Sequence, residues 1–369
     1  TDFDVWVGIP SIQMSQLPRA AKICFTLHVK NYKEMIPLGW VNQQIFDHHN
    51  VLKAGVFSIP LWLNGHANPL SPCSVNIDSA KPMTLSVEFP AFSDQVVTYP
   101  SFSQYIYSSE PAKEADPSMV LNSRMDYLIH QDPLYKMSQK EQKMLWDNRH
   151  ILGCVPAALP KVLQVVDWTK PEMVIEMLRL MSTWAPLPGS EALQLLDAHY
   201  PAREVREYAV NCLRNVPDID IEDYMLQLVQ VLKYEPFHDS PLSRFLLQRA
   251  LQNRERLGHL LFWYLKAELS SPHISHRYTL LAEAYLYGCG DHLFELTHQA
   301  QLVEKLQQVA ENVKSKKRGK KQLLHKELAD IKFDHRINLP IVPGMSISGF
   351  NIEKCKYMDS FTLPLWLEC

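Results

Sequence analysis

Residues 22–30, KICFTLHVK, alternate apolar and polar: Ile23, Phe25, Leu27 and Val29 against Lys22, Cys24, Thr26 and His28. Period-two alternation predicts a strand with one covered face. VFSIPLWL over 56–63 and MTLSVEF over 83–89 repeat the theme, separated by turn-rich pieces at 64–74 and 79–82. Short strands between Pro, Asn and Gly loops predict an antiparallel β-sandwich. Its strands are few, so the expectation is an incomplete sandwich whose opening strands lie upstream.

From about residue 126 the period changes. SQKEQKMLWDNRH opens with Ser138-x-x-Glu141, a capping box that supplies acceptors to orphan helix N–H groups. PEMVIEMLRLMSTW, 171–184, carries Pro in its first turn, where no intrahelical donor is lost. Met173, Val174, Met177, Leu178 and Met181 then fall on one helical face. Segments 190–201, 203–213, 221–234, 240–253 and 255–269 continue the run with short loops. Many amphipathic helices joined by brief turns predict an α-helical solenoid, in which the Met and aromatic residues are core. Gly288 and Gly290 flank Cys289 as a C-cap and turn. One longer helix is expected after His292, then a Pro-punctuated connector and strand-like pieces to the end.

The pattern divides the chain into 1–109 (β-sandwich), 110–291 (helical) and 292–369 (mixed α/β). The fold class is therefore multidomain α+β.

Composition changes this little. Of 369 residues 46% are hydrophobic and 21% charged, enough for buried cores. The net charge of -3 excludes a bulk polycation, so attraction to nucleic acid or membrane must come from a local patch. Seven scattered Cys without a C-x-x-C pair argue against a disulfide framework or zinc finger and for a reducing, cytoplasmic setting. No signal peptide or membrane-spanning run is visible. The non-Met first residue and abrupt end suggest a fragment.

Catalytic patterns are near misses. In GCGDHL, 288–293, Leu293 stands where a dinucleotide fingerprint needs its third Gly, and GMSISG, 344–349, is not G-x-S-x-G. There is no Walker A loop, D-F-G or H-R-D. His48–His49, read as facing opposite sides of an extended chain, and His273-x-x-His276, read as a loop, are weak metal pairs. The expectation is no catalytic, cofactor-binding or metal-binding residue. The run KSKKRGKK is different: Lys314, Lys316, Lys317, Arg318, Lys320 and Lys321 make six of its eight residues cationic. It is either solvated surface or a contact for acidic lipid headgroups, where each cation contributes about 1 kcal/mol. No aromatic residue interleaves it to stack on bases, so no nucleic-acid partner is expected.

LPRAAKICFTLH (17–28), PLGWVNQQIFDHHNVLKAGVFSIPLW (37–62) and LSVEFPAFSDQVVTYP (85–100) resemble the C2-type sandwich of phosphoinositide 3-kinase catalytic subunits, class I more than the others. DPLYKMSQKEQKMLWDNR (132–149), QLLDAHYPAREVREYAV (194–210) and the long stretch 226–269 are similar to that family's helical (PIK) domain. IEKCKYMDSFTLPLWLE (352–368) resembles the first strands of its kinase N-lobe.

The resemblance implies a C2-type domain, a helical PIK domain and a truncated α/β kinase N-lobe start. It implies part of a phosphatidylinositol 3-kinase catalytic subunit, which phosphorylates inositol lipids at the 3-position in signalling. The chain itself would supply membrane docking and scaffolding without the active site. ATP and Mg would belong to the full-length protein and none to this chain. Implied partners are a regulatory subunit, acidic membrane lipids and, through domains outside the chain, small GTPases or G-protein subunits. The implied location is the cytoplasm with recruitment to the plasma membrane. A regulatory-subunit contact is implied at Tyr135, Lys136 and Gln139. Lys136 and Gln139 stand where several members carry acidic residues for a basic Src-homology-2 pocket, and their charge does not favour that pocket. The competing reading is a non-catalytic truncated scaffold that binds membrane and regulatory partners.

Overall fold

The structure, a computed structural model, describes residues 3–31, 34–77, 82–92, 94–101 and 123–369. The turn expected over 79–81 and the boundary at 109/110 lie outside these residues.

Five strands open the chain: β1 (Lys22–Asn31), β2 (Glu34–Gln44), β3 (Gly55–Pro60), β4 (Trp62–Leu63) and β5 (Thr84–Phe89). They form two antiparallel sheets, one ordered β1-β2-β4 and one pairing β3 with β5. Val41, Ile59 and Leu61 are buried between them, with Phe25, Leu27, Phe57, Leu85 and Val87 packed around. The alternation along β1 thus points Phe25 and Leu27 inward, as a pleat requires. β2 was not anticipated, because Pro37 and Gly39 interrupt its pattern. Pro37 sits at a register shift in the β1–β2 ladder, between the pairs Leu27↔Gly39 and His28↔Pro37. A bulge is where a strand tolerates a residue with no N–H to give. At Gly39 an added Cβ would lie 3.0 Å from the Trp62 carbonyl oxygen, so its bareness lets β4 approach.

Helices follow: α1 (Ser123–Ile129), α2 (Gln139–Asp147), α3 (Arg149–Leu152), α4 (Leu159–Leu163), α5 (Pro171–Thr183), α6 (Gly189–Ala192), α7 (Arg203–Leu213), α8 (Asp218–Val231) and α9 (Pro241–Gln252). A π-helical turn over Arg254–Gly258 leads into α10 (His259–Glu268), then α11 (Pro272–Gly288), α12 (His292–Ser315) and α13 (Lys320–Ala329). On α5 the buried residues are Val174, Met177, Leu178, Leu180 and Met181. α11 ends at Gly288, and Gly290 adopts the left-handed conformation, φ +59°, that favours glycine. The single long helix expected after His292 is instead two, broken at 316–319, where Gly319 takes φ 70° and starts α13.

The chain closes with β6 (Ile337–Leu339) paired to β7 (Val342–Ile347) and β8 (Lys356–Tyr357) paired to β9 (Leu365–Trp366).

The chain forms two compact units. The first comprises Thr1–Val216, Gln230–Ser243 and Pro272–Ile274; the second comprises Pro217–Val229, Arg244–Ser271 and Ser275–Cys369. Within the first, Trp40 and Trp62 both pack on His273, with ring centroids 5.2 and 4.4 Å away. Gln44 donates to the Pro236 carbonyl at 3.2 Å. The Arg206 side chain, 1% exposed, pairs with Glu235 at 2.7 Å and donates to the Leu196 carbonyl at 2.8 Å. Within the second, α12 and α13 bury Val309, Val313, Leu324 and Leu328 with Cys355 and Leu363. Further along α12, Leu302 packs with Ile337 and Ile347 of the β6–β7 hairpin. None of the cysteines is paired in a disulfide. Among the described residues no helix is long and apolar enough to cross a membrane.

Candidate functional site

The cationic run occupies the α12–α13 corner. Lys314 lies in the last turn of α12, Lys316, Lys317 and Arg318 form the turn with Gly319, and Lys320 and Lys321 open α13. All six are exposed except Lys320, which is half-buried, and among the described residues none pairs with a carboxylate. The corner is held from below. Asn312 donates to both oxygens of Glu327 at 3.1 Å, tying the two helices, and their shared apolar core lies beneath.

Aromatic rings, absent from the run in sequence, reach it in space from the chain's tail. The Lys314 ammonium lies 5.2 Å from the Phe361 ring centroid, and that of Lys320 lies 5.7 Å from Tyr357. Lys356 adds another cation, 5.8 Å from the Trp366 ring. These are cation–π distances. Phe361 is 92% exposed, so its ring is presented to solvent beside the charges. Cations flanked by an exposed aromatic suit a surface of anionic headgroups over an apolar layer, because Lys neutralises the former and the ring partitions into the boundary. Tyr357 and Phe361 were missed in the sequence because their lysine partners lie tens of residues away.

Tyr135, Lys136 and Gln139 sit elsewhere, in the first unit at the start of α2. Ser138 caps that helix: its hydroxyl accepts from the Glu141 N–H, and Glu141 accepts from the Ser138 N–H at 2.8 Å. Arg124 pairs with Glu141 as well, and the Tyr135 hydroxyl donates to it at 3.3 Å. The bonds from Ser138, then Arg124, outweigh burial and hold the Glu141 carboxyl at about 2. Lys161 donates to the Asp132 carbonyl at 2.6 Å and Gln164 to that of Pro133 at 3.0 Å. The segment is therefore pinned, with Lys136, Gln139, Lys140 and Lys143 exposed on it. Its free charge is positive, which suits an acidic partner surface.

Both histidine pairs read from sequence take a different setting from the one expected. His48 and His49 lie in a turn with ring centroids 3.9 Å apart, not on opposite sides of an extended chain. His273 and His276 lie in the first turns of α11, not a loop, and His273 is enclosed by the two tryptophans. Among the described residues, His259, His292 and Glu295 converge, bringing one donor atom each within 4.8 Å of one another.

Two family models match the chain. Residues 113–298 match the phosphoinositide 3-kinase family accessory domain (PIK domain), and residues 2–97 match the phosphoinositide 3-kinase C2 domain. Among curated proteins, the chain is similar to phosphatidylinositol 3-kinase 1 of Dictyostelium discoideum, with 36% identity over 386 residues, covering 99% of this chain and 24% of that protein. It is 36% identical to phosphatidylinositol 3-kinase 2 of the same organism over 97% of this chain and 22% of that protein. Phosphatidylinositol 3-kinase 3 is 34% identical over 98% of this chain and 22% of its own length. The chain thus spans about a quarter of the length of the curated relatives it matches.

Proposed function

Because the chain belongs to the phosphoinositide 3-kinase family, we propose that it forms the C2-type and helical part of a lipid kinase catalytic subunit, docking and bracing an active site that its own residues do not supply. The reaction is transfer of the ATP γ-phosphoryl to the 3-hydroxyl of an inositol lipid. Such transfer rests on positioning and charge neutralisation. A membrane substrate demands that the protein be held at the bilayer in a fixed pose. The basic and aromatic corner serves this role, and its setting is the cytoplasmic face of the plasma membrane. The tail strands begin the kinase N-lobe, and ATP and Mg bind beyond them. The α2 start, with Tyr135, Lys136 and Gln139, contacts a regulatory subunit through an acidic surface.

The observation that carries this reading is the juxtaposition of Lys314 and Lys320 with Phe361 and Tyr357. It is tested by sedimenting the chain with phosphatidylcholine vesicles, with and without phosphatidylserine. Replacing Lys316, Lys317, Lys320 and Lys321 with Gln removes about 1 kcal/mol each, so partitioning onto anionic vesicles falls by up to about a thousandfold at low salt. The deficit shrinks as salt rises and screens the charges. Unchanged binding at low ionic strength would overturn the reading.

A further inference from the structure

We propose that His259, His292 and Glu295 form a binding site for one zinc ion, independent of lipid docking. His292 and Glu295 lie one turn apart on α12, so both side chains project from the same face. His259 enters from α10, immediately after the π-helical turn. One donor atom from each lies within 4.8 Å of the others, and His292 Nε2 is 4.0 Å from Glu295 Oε2. Tetrahedral zinc, with bonds of about 2.0–2.2 Å, sets its donors roughly 3.4 Å apart. The cluster therefore closes on an ion by side-chain movement of about 1 Å or less.

The hydrogen bonds hold one polar atom of each side chain in place. His259 Nε2 lies 3.0 Å from the Leu339 carbonyl oxygen and 2.8 Å from that of Pro340. Two acceptors fix the proton on Nε2 and leave the Nδ1 lone pair for a ligand. His292 Nδ1 lies 2.8 Å from the Tyr285 hydroxyl. With the proton there, the Nε2 lone pair is bare. That Nε2 is buried and has no hydrogen-bond partner, and the His292 side chain is only 5% exposed. A buried polar atom without a partner costs about 1–3 kcal/mol and calls for an explanation. A bound cation supplies one. In Glu295, Oε1 accepts from Gln299 at 3.2 Å and from Asn338, while Oε2 faces His292.

This is the support that metal-ligating side chains show: the other ring nitrogen held by a carbonyl or hydroxyl, the other carboxylate oxygen by amides. Two imidazoles and one carboxylate suit zinc and leave a fourth position for water. The ion would tie α10 to α12 and, through the Leu339 and Pro340 carbonyls and Asn338, to the β6–β7 hairpin.

The test uses the full chain, purified without a polyhistidine tag and stripped with a chelator. Zinc affinity is measured by competition with a chromophoric chelator, and Co(II) is added as a spectroscopic stand-in. The proposal expects one zinc per chain and a visible Co(II) absorption band. Glu295→Gln, which keeps its amide contacts, and His292→Gln each raise the zinc Kd more than about a hundredfold, and Tyr285→Phe raises it about tenfold. Circular dichroism at the helical minimum confirms that each variant is folded. Failure of the parent to bind zinc overturns the proposal. So does a folded Glu295→Gln chain that binds zinc as tightly as the parent.

Discussion

The hydroxyl of Tyr285 occupies the space where a side chain on Gly258 would begin. A Cβ built there would lie 2.0 Å from that oxygen and 2.8 Å from the Ala250 carbonyl oxygen. Gly258 has ordinary helical dihedrals, φ -66° and ψ -40°, so it is bare for space and not for conformation. Gly258→Ala must displace a buried tyrosine or the backbone. The expected cost is about 1–3 kcal/mol or more, read as a lower urea midpoint. An unchanged midpoint would mean that Tyr285 moves freely, against its burial.

Arg206 and Glu235 make a second dependency, deep in the first unit. The guanidinium is buried, and among the described residues Glu235 is its carboxylate partner. Glu235→Leu strands a buried charge and should cost about 3–5 kcal/mol. Thermal melting followed at the helical minimum checks this; a melting temperature equal to the parent's would mean that water reaches Arg206.

The capping box at Ser138 predicts a pH dependence. Glu141 titrates at about 2 in the folded chain against 4.5 ordinarily, so its stabilisation is full above 4.5 and fades as pH falls towards about 2. Ser138→Ala keeps the backbone N–H bond that leads the shift and removes the hydroxyl bond that comes second. The gap in melting temperature between parent and variant should be widest above pH 4.5 and narrow on acidification. A gap that stays constant with pH would show that Ser138 acts only through packing.

Phe361 separates surface function from stability. Exposed as it is, Phe361→Ser should leave the melting temperature within about 1 °C of the parent, since solvated positions change stability little. It should still weaken association with anionic vesicles severalfold, by losing an interfacial ring. Equal vesicle binding would assign the docking to charge alone.

Local signals were legible in the sequence and distant ones were not. Ser138 and Glu141 are three residues apart, and Pro171 marks its own helix start, so both could be read directly. Trp263 was expected in the core, and it is buried there with its indole N–H donating to Gln299 at 2.7 Å. β2 escaped because Pro37 and Gly39 are strand-breaking in isolation; only the bulge and the tight approach of β4 make them fit. The break at Gly319 escaped because Lys and Gln on both sides are good helix formers, and a single glycine costs a helix only about 1 kcal/mol. His259 and His292 lie on separate helices, so no spacing rule joins them; the H-x-x-E step on α12 was the one local hint. The aromatic rings beside the lysines belong to another part of the chain for the same reason.

The two tryptophans against His273 bear on how this molecule can be dissected. Trp40 and Trp62 belong to the strands, yet the surface that shields them is contributed by a residue more than two hundred positions later. Gln44 likewise spends its amide on Pro236, and Arg19 lies 5.2 Å from the Phe237 ring. Expressed without those later segments, the β-layer would present two bare indoles to water and invite self-association. A β-module cut from this chain after β5 should therefore precipitate, and one that retains residues through α11 should stay in solution.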